Sequence, residues 1–183
     1  MNLNDIIAGC ISQNRVSQEQ LYTLYKKTLF ALSLKYCSNI ADAEDNLHNA
    51  FLEIFKNIKN FENNGTFEGW IKRITINKAI DSYKKTYLLN PITDDFQDEV
   101  FIDEDDFNCT LDDLLLMIQE LPNQYRLIFN LYELDDYSHQ EIAQMLSIKT
   151  STSKSNLHRA KILLKEKITG KNIFHKNTSN GKQ

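Results

Sequence analysis

The sequence predicts an all-α fold of two small helical domains joined by an acidic linker, the second domain containing a helix-turn-helix. The chain of 183 residues has only 5 glycines and 2 prolines, too few for the turns of a many-stranded β fold. Apolar residues recur at helical spacing in several segments. Between these segments lies a stretch rich in acids and without periodicity, which is typical of a linker.

The first domain is predicted over residues 1–88 and contains three amphipathic helices. Apolar residues at i, i+3, i+4 and i+7 spacing mark the first helix over 21–36. A second stripe covers 43–58, after acidic residues that the helix dipole favours in a first turn. Thr66 is predicted to cap the third helix, whose buried face continues over 67–83.

The linker is predicted over residues 89–110, and the second domain over 111–170. A short amphipathic helix begins at Leu111, and Pro122 suits the first turn of the helix that follows. The last segment, 171–183, lacks periodicity and is predicted to be a flexible tail.

The strongest local pattern predicts a helix-turn-helix. Ser138 and Glu141 form a capping-box pattern at the start of its first helix. A second helix over 150–165 presents polar and basic side chains that suit the major groove of DNA: Lys154, Ser155, His158, Arg159 and Lys161. An ordinary helical hairpin is the alternative.

Three residues of this motif differ from the usual pattern. Ser147 stands in the turn where such motifs usually have glycine, and Ser153 stands at a position that is normally apolar. Asn156 takes a position that is often basic. These differences weaken the prediction from the motif alone.

The charges are unevenly distributed although the net charge is only −4. Residues 93–120 contain eleven acids and no base, whereas 149–183 contain nine bases and one acid. Residues 56–87 contain seven bases and three acids. This asymmetry favours binding to a polyanion, with solvated helix faces as the alternative.

Aromatic residues accompany the basic segment of the first domain: Phe61, Phe67, Trp70 and Tyr83. Single-stranded nucleic acid is bound in this way, because bases stack on rings while phosphates contact cations. Most of these rings are expected to belong to the core. The polar loop 61–69 is therefore the better candidate for contact with a base.

Three stretches in order resemble the extracytoplasmic-function sigma factors, the two-domain specificity subunits of bacterial RNA polymerase. They are DAEDNLHNAFLEIF (42–55), FEGWIKRITINKAIDSYKK (67–85) and LPNQYRLIFNLYELDDYSHQEIAQMLSIKTSTSKSNLHRAKILLKEKI (121–168). The resemblance extends over residues 20–168 and implies a function in promoter-specific initiation of transcription.

The resemblance also implies three sets of site residues. A helix that starts at Asp42 binds the polymerase β′ subunit through Asp42, Asp45, His48, Asn49 and Glu53. The melted −10 promoter element is recognised by Asn63, Asn64, Trp70, Arg73, Asn77, Lys78, Tyr83 and Lys84. The −35 element is read as duplex by Thr152, Lys154, Ser155, Asn156, His158 and Arg159.

The expected partners are core RNA polymerase, through its β′ and β subunits, and promoter DNA, with an anti-sigma factor as a further partner that the resemblance allows. No cofactor, metal, small-molecule substrate or enzymatic activity is expected, because the four histidines are scattered and no phosphate-binding glycine loop occurs. Glu44 and His48 are one turn apart but have no third ligand nearby in sequence. A cytoplasmic location is expected, since the sequence has no long apolar run, no secretory signal and no disulfide framework among Cys10, Cys37 and Cys109.

Two alternatives remain open from the residues alone. One is a stand-alone helix-turn-helix regulator, and the other is an interaction module whose charged helices dock on another protein. The linker has two hypothetical roles: it follows a polymerase channel and mimics nucleic acid there, or it pairs with the basic recognition helix and restrains DNA binding.

Overall fold

The computed structural model of the chain describes residues 2–62, 65–87 and 110–179, without side-chain detail at 86–87 and 171–179. Every regular element within these ranges is a helix, which confirms the predicted all-α class. The chain divides into two compact units, Met1–Asn90 and Pro91–Gln183. The division falls in the predicted linker, of which 89–109 lie outside the described residues.

The described residues of the first unit form four α-helices and a short 3₁₀ turn, Ile58–Asn60: α1 (Leu3–Ile11), α2 (Arg15–Tyr36), α3 (Ile40–Asn57) and α4 (Phe67–Tyr87). Helices α2, α3 and α4 pack on one another, and α1 packs on α2. Their shared core includes Leu21, Leu29, Ile54 and Ile71, each at most 1% exposed. The predicted apolar stripes of α3 and α4 are confirmed, whereas Leu24 of the α2 stripe is 55% exposed.

Helix α1 was not predicted from the sequence. Its start is set by Asn2 and Asp5, which form a capping box, and its Ile6 and Cys10 are buried in the core. A Cβ atom on Gly9 would collide with the side chain of Ser17, so glycine lets α1 lie close to α2. With nine residues, α1 is too short to show a convincing helical period on its own.

Side-chain caps begin the other helices of this unit. The Asn14 side chain accepts hydrogen bonds from two backbone amides at the start of α2, and Asn39 Oδ1 accepts from the Asp42 amide at 2.8 Å. Thr66 Oγ1 accepts from the Gly69 amide at 3.1 Å. The predicted cap at Thr66 is therefore confirmed.

A buried polar contact joins α2, α3 and α4. Asn46 of α3 is 4% exposed, and its Nδ2 donates to Ser33 Oγ at 2.9 Å and to the Thr75 carbonyl at 3.3 Å. Ser33 Oγ in turn donates to the Leu29 carbonyl at 2.8 Å. Because a buried amide needs partners, Asn46 favours one arrangement of these three helices.

From residue 110 to 179, the second unit forms four α-helices and one π-helical turn, Asn130–Leu134: α5 (Leu111–Gln119), α6 (Asn123–Phe129), α7 (His139–Leu146) and α8 (Thr150–Ser179). One buried cluster of this unit consists of Met117, Ile118, Leu121, Ala160 and Leu164. Pro122 occupies the N-cap position of α6, one residue before the helix, rather than its first turn.

Helix α8 is longer than predicted. The sequence predicts an end near residue 165, yet the helix continues to Ser179 and takes in most of the predicted tail. Residues 180–183 lie outside the described part of the chain. The polar composition beyond residue 170 gave no apolar period from which the longer helix was predictable.

Candidate nucleic-acid and protein interfaces

An acidic face runs along α3. Asp42, Asp45 and Asn49 are exposed and Glu53 is half-buried, and their spacing of three, seven and eleven residues places them on one side of a helix. They line a groove between α3 and α4 with a volume of about 630 Å³, which also contains Lys78, Lys84 and Lys85 of α4. Four of the five predicted polymerase contacts therefore lie together.

The fifth predicted polymerase contact, His48, is exposed one turn after Asp45. It lines a second groove, of about 440 Å³, between α2 and α3. The rest of that lining is aromatic, aliphatic and charged: Tyr22, Lys26, Lys27, Phe30, Glu44 and Leu47. Because residues three apart are neighbours on a helix surface, one partner can contact both Asp45 and His48.

Leu52 is a candidate contact that the sequence analysis missed. It is 56% exposed and lines the groove with Asp45 and Asn49. An exposed leucine beside charged residues is typical of the apolar centre of a protein interface. The sequence did contain a signal for this contact, because Leu52 lies outside the apolar stripe that α3 buries.

Glu53 and Lys78 contact each other although they were assigned to different partners. Glu53 Oε2 lies 2.8 Å from Lys78 Nζ, and Asn57 Nδ2 donates to Glu53 Oε1 at 2.6 Å. The Lys78 ammonium, followed by the Asn57 amide, lowers the pKa of the Glu53 carboxyl. This pair therefore connects the candidate polymerase helix to the candidate −10 helix.

Helix α4 presents a polar face for the predicted −10 contacts. Trp70, Arg73, Asn77 and Lys84 are three, seven and fourteen residues apart, so they share one side of α4. Arg73 and Asn77 are exposed, and Trp70 and Lys84 are half-buried. Tyr83 is also half-buried but lies about 140° around the helix from Trp70, so it does not join this face.

The aromatic rings near the start of α4 pack mainly on each other. The Trp70 ring centroid lies 5.5 Å from that of Phe61 and 5.7 Å from that of Phe67, and Phe67 is 5% exposed. The expectation that most of these rings belong to the core is confirmed. Asn63 and Asn64, the predicted loop contacts, lie outside the described residues.

The predicted capping box at the start of α7 is confirmed. Ser138 Oγ accepts from the Glu141 amide at 3.3 Å, and Glu141 Oε2 accepts from the Ser138 amide at 2.8 Å. Ser147 ends α7 in the left-handed conformation, with φ 57° and ψ 42°. Three residues, Ser147 to Lys149, then connect α7 to α8, so the two helices form the predicted helix-turn-helix.

Five of the six predicted −35 contacts share one side of α8. Lys154 and Ser155 are exposed, and Thr152, His158 and Arg159 are half-buried. At 100° per residue these five positions span about 160° of the helix surface. The opposite side is buried and consists of Ser153, Asn156, Leu157, Ala160 and Leu164.

The burial of Asn156 corrects the expectation that this residue contacts DNA. Its side chain is 9% exposed and lies on the inner side of α8, because residue 156 follows the buried Ser153 by three positions. Its Nδ2 has no hydrogen-bond partner. A buried amide is poorly placed to reach a base edge.

The remaining candidate chemistry is limited in the described residues. Within 2–62, 65–85 and 110–170, no three histidine, cysteine or carboxylate side chains are grouped so as to hold a metal ion. Cys10 is buried, which raises the pKa of its thiol, and Cys37 is partly buried. Over the same ranges, no helix is both long and apolar enough to cross a bilayer.

Two family models match the chain, one in each unit. The model of Sigma-70 region 2 matches residues 21–87, which include α3 and α4. The model of Sigma-70 region 4 matches residues 111–164, which include the helix-turn-helix. These matches define the class of protein to which the two interfaces belong.

Curated relatives agree with this class. The chain is 30% identical over 130 residues to RNA polymerase sigma factor SigZ of Bacillus subtilis, covering 69% of this chain and 73% of that protein. It is 28% identical over 159 residues to ECF RNA polymerase sigma factor SigW of the same organism, covering 79% and 85%. With SigE of Mycolicibacterium smegmatis the identity is 26% over 161 residues, covering 82% of this chain and 61% of the relative.

The chain therefore belongs to the extracytoplasmic-function sigma factors of RNA polymerase, which serve promoter-specific initiation of transcription. A solved structure has a similar fold: the sigma factor RpoE in complex with the anti-sigma factor NepR from Bartonella quintana. Its TM-score is 0.50 at 21% identity, and the match covers 81% of this chain and 94% of that chain.

Proposed function

We propose that this sigma factor binds core RNA polymerase through α3, contacts the melted −10 element through α4 and its preceding loop, and reads the −35 element through α8. The observation that carries the proposal is the presence in one chain of an acidic helix face, a neighbouring polar and basic helix face, and a helix-turn-helix. A stand-alone regulator needs the third feature but neither of the first two.

The α3 side of the groove suits a basic partner helix, because the three lysines of the groove lie on its α4 side. Its carboxylates at Asp42 and Asp45 supply charge, and the exposed Leu52 supplies apolar area between them and Glu53. Charged rims steer association and apolar centres supply affinity at protein interfaces. These properties support binding to the β′ subunit, the partner that the family resemblance implies for this helix.

Substitutions in α3 test this contact. The double variant Asp45→Ala/Asn49→Ala should weaken binding to purified core polymerase about fivefold or more, because it truncates two central contacts. Glu19→Ala, an exposed acid on α2, is the matched control and should leave binding unchanged. Equal weakening by both changes would mean that only the total charge matters.

The −10 element is assigned to the polar face of α4. Arg73 and Lys84 can neutralise phosphates, and Asn77 can donate to and accept from a base edge. Because the rings of Phe61, Phe67 and Trp70 pack on one another, capture of an unpaired base is assigned to the loop between the 3₁₀ turn and α4 rather than to an open aromatic platform.

The −35 element is assigned to the outer side of α8. Transcription with reconstituted holoenzyme on a library of randomised promoters should select one −10 and one −35 motif, separated by a constant spacing. Lys154→Ala should cost about 1–3 kcal/mol and relax one position of the −35 motif if Lys154 reads a base. Asn77→Ala should relax the −10 motif and leave the −35 motif unchanged.

Three further properties belong to this proposal. The protein acts in the cytoplasm, where bacterial polymerase and promoters are found, and it contributes binding rather than an enzymatic reaction of its own. It needs no cofactor or metal. An anti-sigma factor remains a predicted partner, to be sought by co-purification from the source cell.

A further inference from the structure

His139 joins three elements of the second unit. It is the first residue of α7, and its Nδ1 lies 2.9 Å from Ser153 Oγ of α8. Its ring stacks on Tyr132 of the π-helical turn, with centroids 4.3 Å apart and planes 22° from parallel. The stacking fixes the plane of the imidazole, and that plane fixes the direction of the Nδ1 hydrogen bond.

The partner of this bond lies on the buried side of α8. Ser153 is 0% exposed, and Asn156, one turn further along, is 9% exposed. Both are polar at positions that face the interior, and Ser153 is too small to fit into a neighbouring helix as a large apolar side chain does. The His139–Ser153 bond is therefore a directional contact at a point where the packing of side chains does little to fix the orientation of α8.

The charged groups around the ring come from two elements. Glu133 belongs to the π-helical turn, and Lys154 and Lys161 belong to α8. Burial first and Lys154 second lower the pKa of His139, while Glu133 acts in the opposite direction. The imidazole is therefore neutral near pH 7, with one nitrogen that donates and one that accepts.

We propose that His139 is a positioning residue for promoter reading: its hydrogen bond to Ser153 fixes the rotation of α8 about its own axis and so the placement of Lys154 and Ser155 in the major groove. This inference rests on the proposed −35 reading by α8. A rotation of about 20° moves a side chain at the surface of a helix by about 2 Å, well beyond the tolerance of about 0.5 Å for a productive contact.

Three variants test the positioning role in the reconstituted holoenzyme. His139→Phe keeps a ring against Tyr132 but removes the nitrogen, and Ser153→Ala removes the hydroxyl. His139→Asn places an amide near the position of Nδ1 and keeps a hydrogen bond available to Ser153. The measured quantity is the ratio of affinities for duplex DNA with the selected −35 motif and with a scrambled motif.

His139→Phe and Ser153→Ala should each lower this ratio about fivefold. One neutral hydrogen bond changes an equilibrium constant by about that factor. The double variant should lower the ratio no further than either single change, because both remove the same bond. His139→Asn should restore most of the ratio. Affinity for the scrambled duplex should stay constant in all variants, since phosphate contacts carry it.

Two results overturn the inference. One is an unchanged ratio in folded variants, which would give His139 a role in stability alone; the other is a double variant whose loss is the sum of the two single losses. If His139→Phe does not fold, Ser153→Ala and His139→Asn still test the positioning role of His139. Wild-type holoenzyme without any −35 preference would overturn the proposed function itself, and this inference with it.

Discussion

At the scale of single residues, Ser147 is a position where a substitution should raise the stability of the second unit. It adopts φ 57° and ψ 42° at the end of α7, a conformation that costs an L-residue about 1–2 kcal/mol. Glycine avoids this cost but loses more entropy on folding. Ser147→Gly should therefore stabilise the second unit by about 0.5–1 kcal/mol, measured by amide hydrogen exchange in α7.

Ser151→Gly is the matched control for this prediction. Ser151 is exposed in the first turn of α8, where glycine is destabilising relative to serine by up to about 0.5 kcal/mol. The two serine-to-glycine changes should therefore have opposite signs. Destabilisation by Ser147→Gly would contradict the left-handed turn.

His139 gives the second unit a dependence on pH. Its pKa is lowered below 6.5 in the folded chain, so the unfolded chain binds more protons in the range between the two values. The stability that this shift reflects is complete above about pH 6.5 and is lost as the pH falls through the lowered pKa. The protection factors of amides in α7 and α8, which correct the exchange rates for their intrinsic pH dependence, should fall on acidification, and fall less in His139→Asn.

The outcome for single site residues shows what spacing alone can predict. Lys154 and Ser155 were predicted to face outward and are exposed. Asn156 was assigned to the DNA from the resemblance, but the residue three positions earlier, Ser153, is buried and sets the inner side of the helix. The spacing of α8 had already left Asn156 out of the outward-facing residues, and only the resemblance had added it.

At the scale of elements, Asn46 and Asn49 separate stability from function on one helix. Asn46 is buried and bonded to α2 and α4, whereas Asn49 is exposed. Asn46→Ala should lower the free energy of unfolding of the first unit by about 1–3 kcal/mol. Asn49→Ala should change it by less than about 0.5 kcal/mol.

Trp70 is the single tryptophan of the chain and lies in the first unit, so its fluorescence during urea unfolding measures this difference. Binding to core polymerase should show the reverse order, with the larger loss in Asn49→Ala. Equal destabilisation by the two variants would contradict the buried role of Asn46.

Helices with a clear apolar period or a capping pattern were predictable, including the short α5 and α7, whereas α1 and the polar end of α8 were not. The stripes of α3 and α4 were confirmed because a dozen or more residues repeat the apolar period and caps such as Thr66 mark their starts. Helix α1 has only nine residues and is stabilised by packing of Ile6 and Cys10 on α2. Such tertiary contacts leave little trace in a single sequence.

At the scale of the whole molecule, the opposite charges of the linker and the last helix support a prediction about DNA binding. Asp103, Glu104, Asp105 and Asp106 lie in a segment with no base, outside the described residues, whereas residues 149–183 carry nine bases. If the linker restrains the recognition helix, replacing these four acids by Asn or Gln should raise the affinity of the isolated protein for duplex DNA. Titration at 50 and 200 mM salt measures the effect.

The gain should be larger at the lower salt concentration, because screening weakens attraction between separated charges. An unchanged affinity at both concentrations would reject the pairing hypothesis and leave the alternative, in which the linker acts in the polymerase channel.

The class of protein was predictable from the order of three segments, whereas the detail of the site was not. Asp42, Asp45, Asn49 and Glu53 were predicted as a set and do share one face. His48 lies in a different groove, and Glu53 pairs with Lys78. An ion pair between two helices depends on how the helices pack, and this packing is not predictable from the sequence of one helix.

The central claim is that this chain directs core RNA polymerase to defined promoters. The most direct measurement adds the purified protein to bacterial core polymerase, isolates the complex, and maps run-off transcripts from a promoter library. We predict a stable one-to-one complex that starts transcripts at positions set by a −10 and a −35 motif. A protein that ignores the polymerase and binds duplex DNA alone as a dimer would contradict the claim.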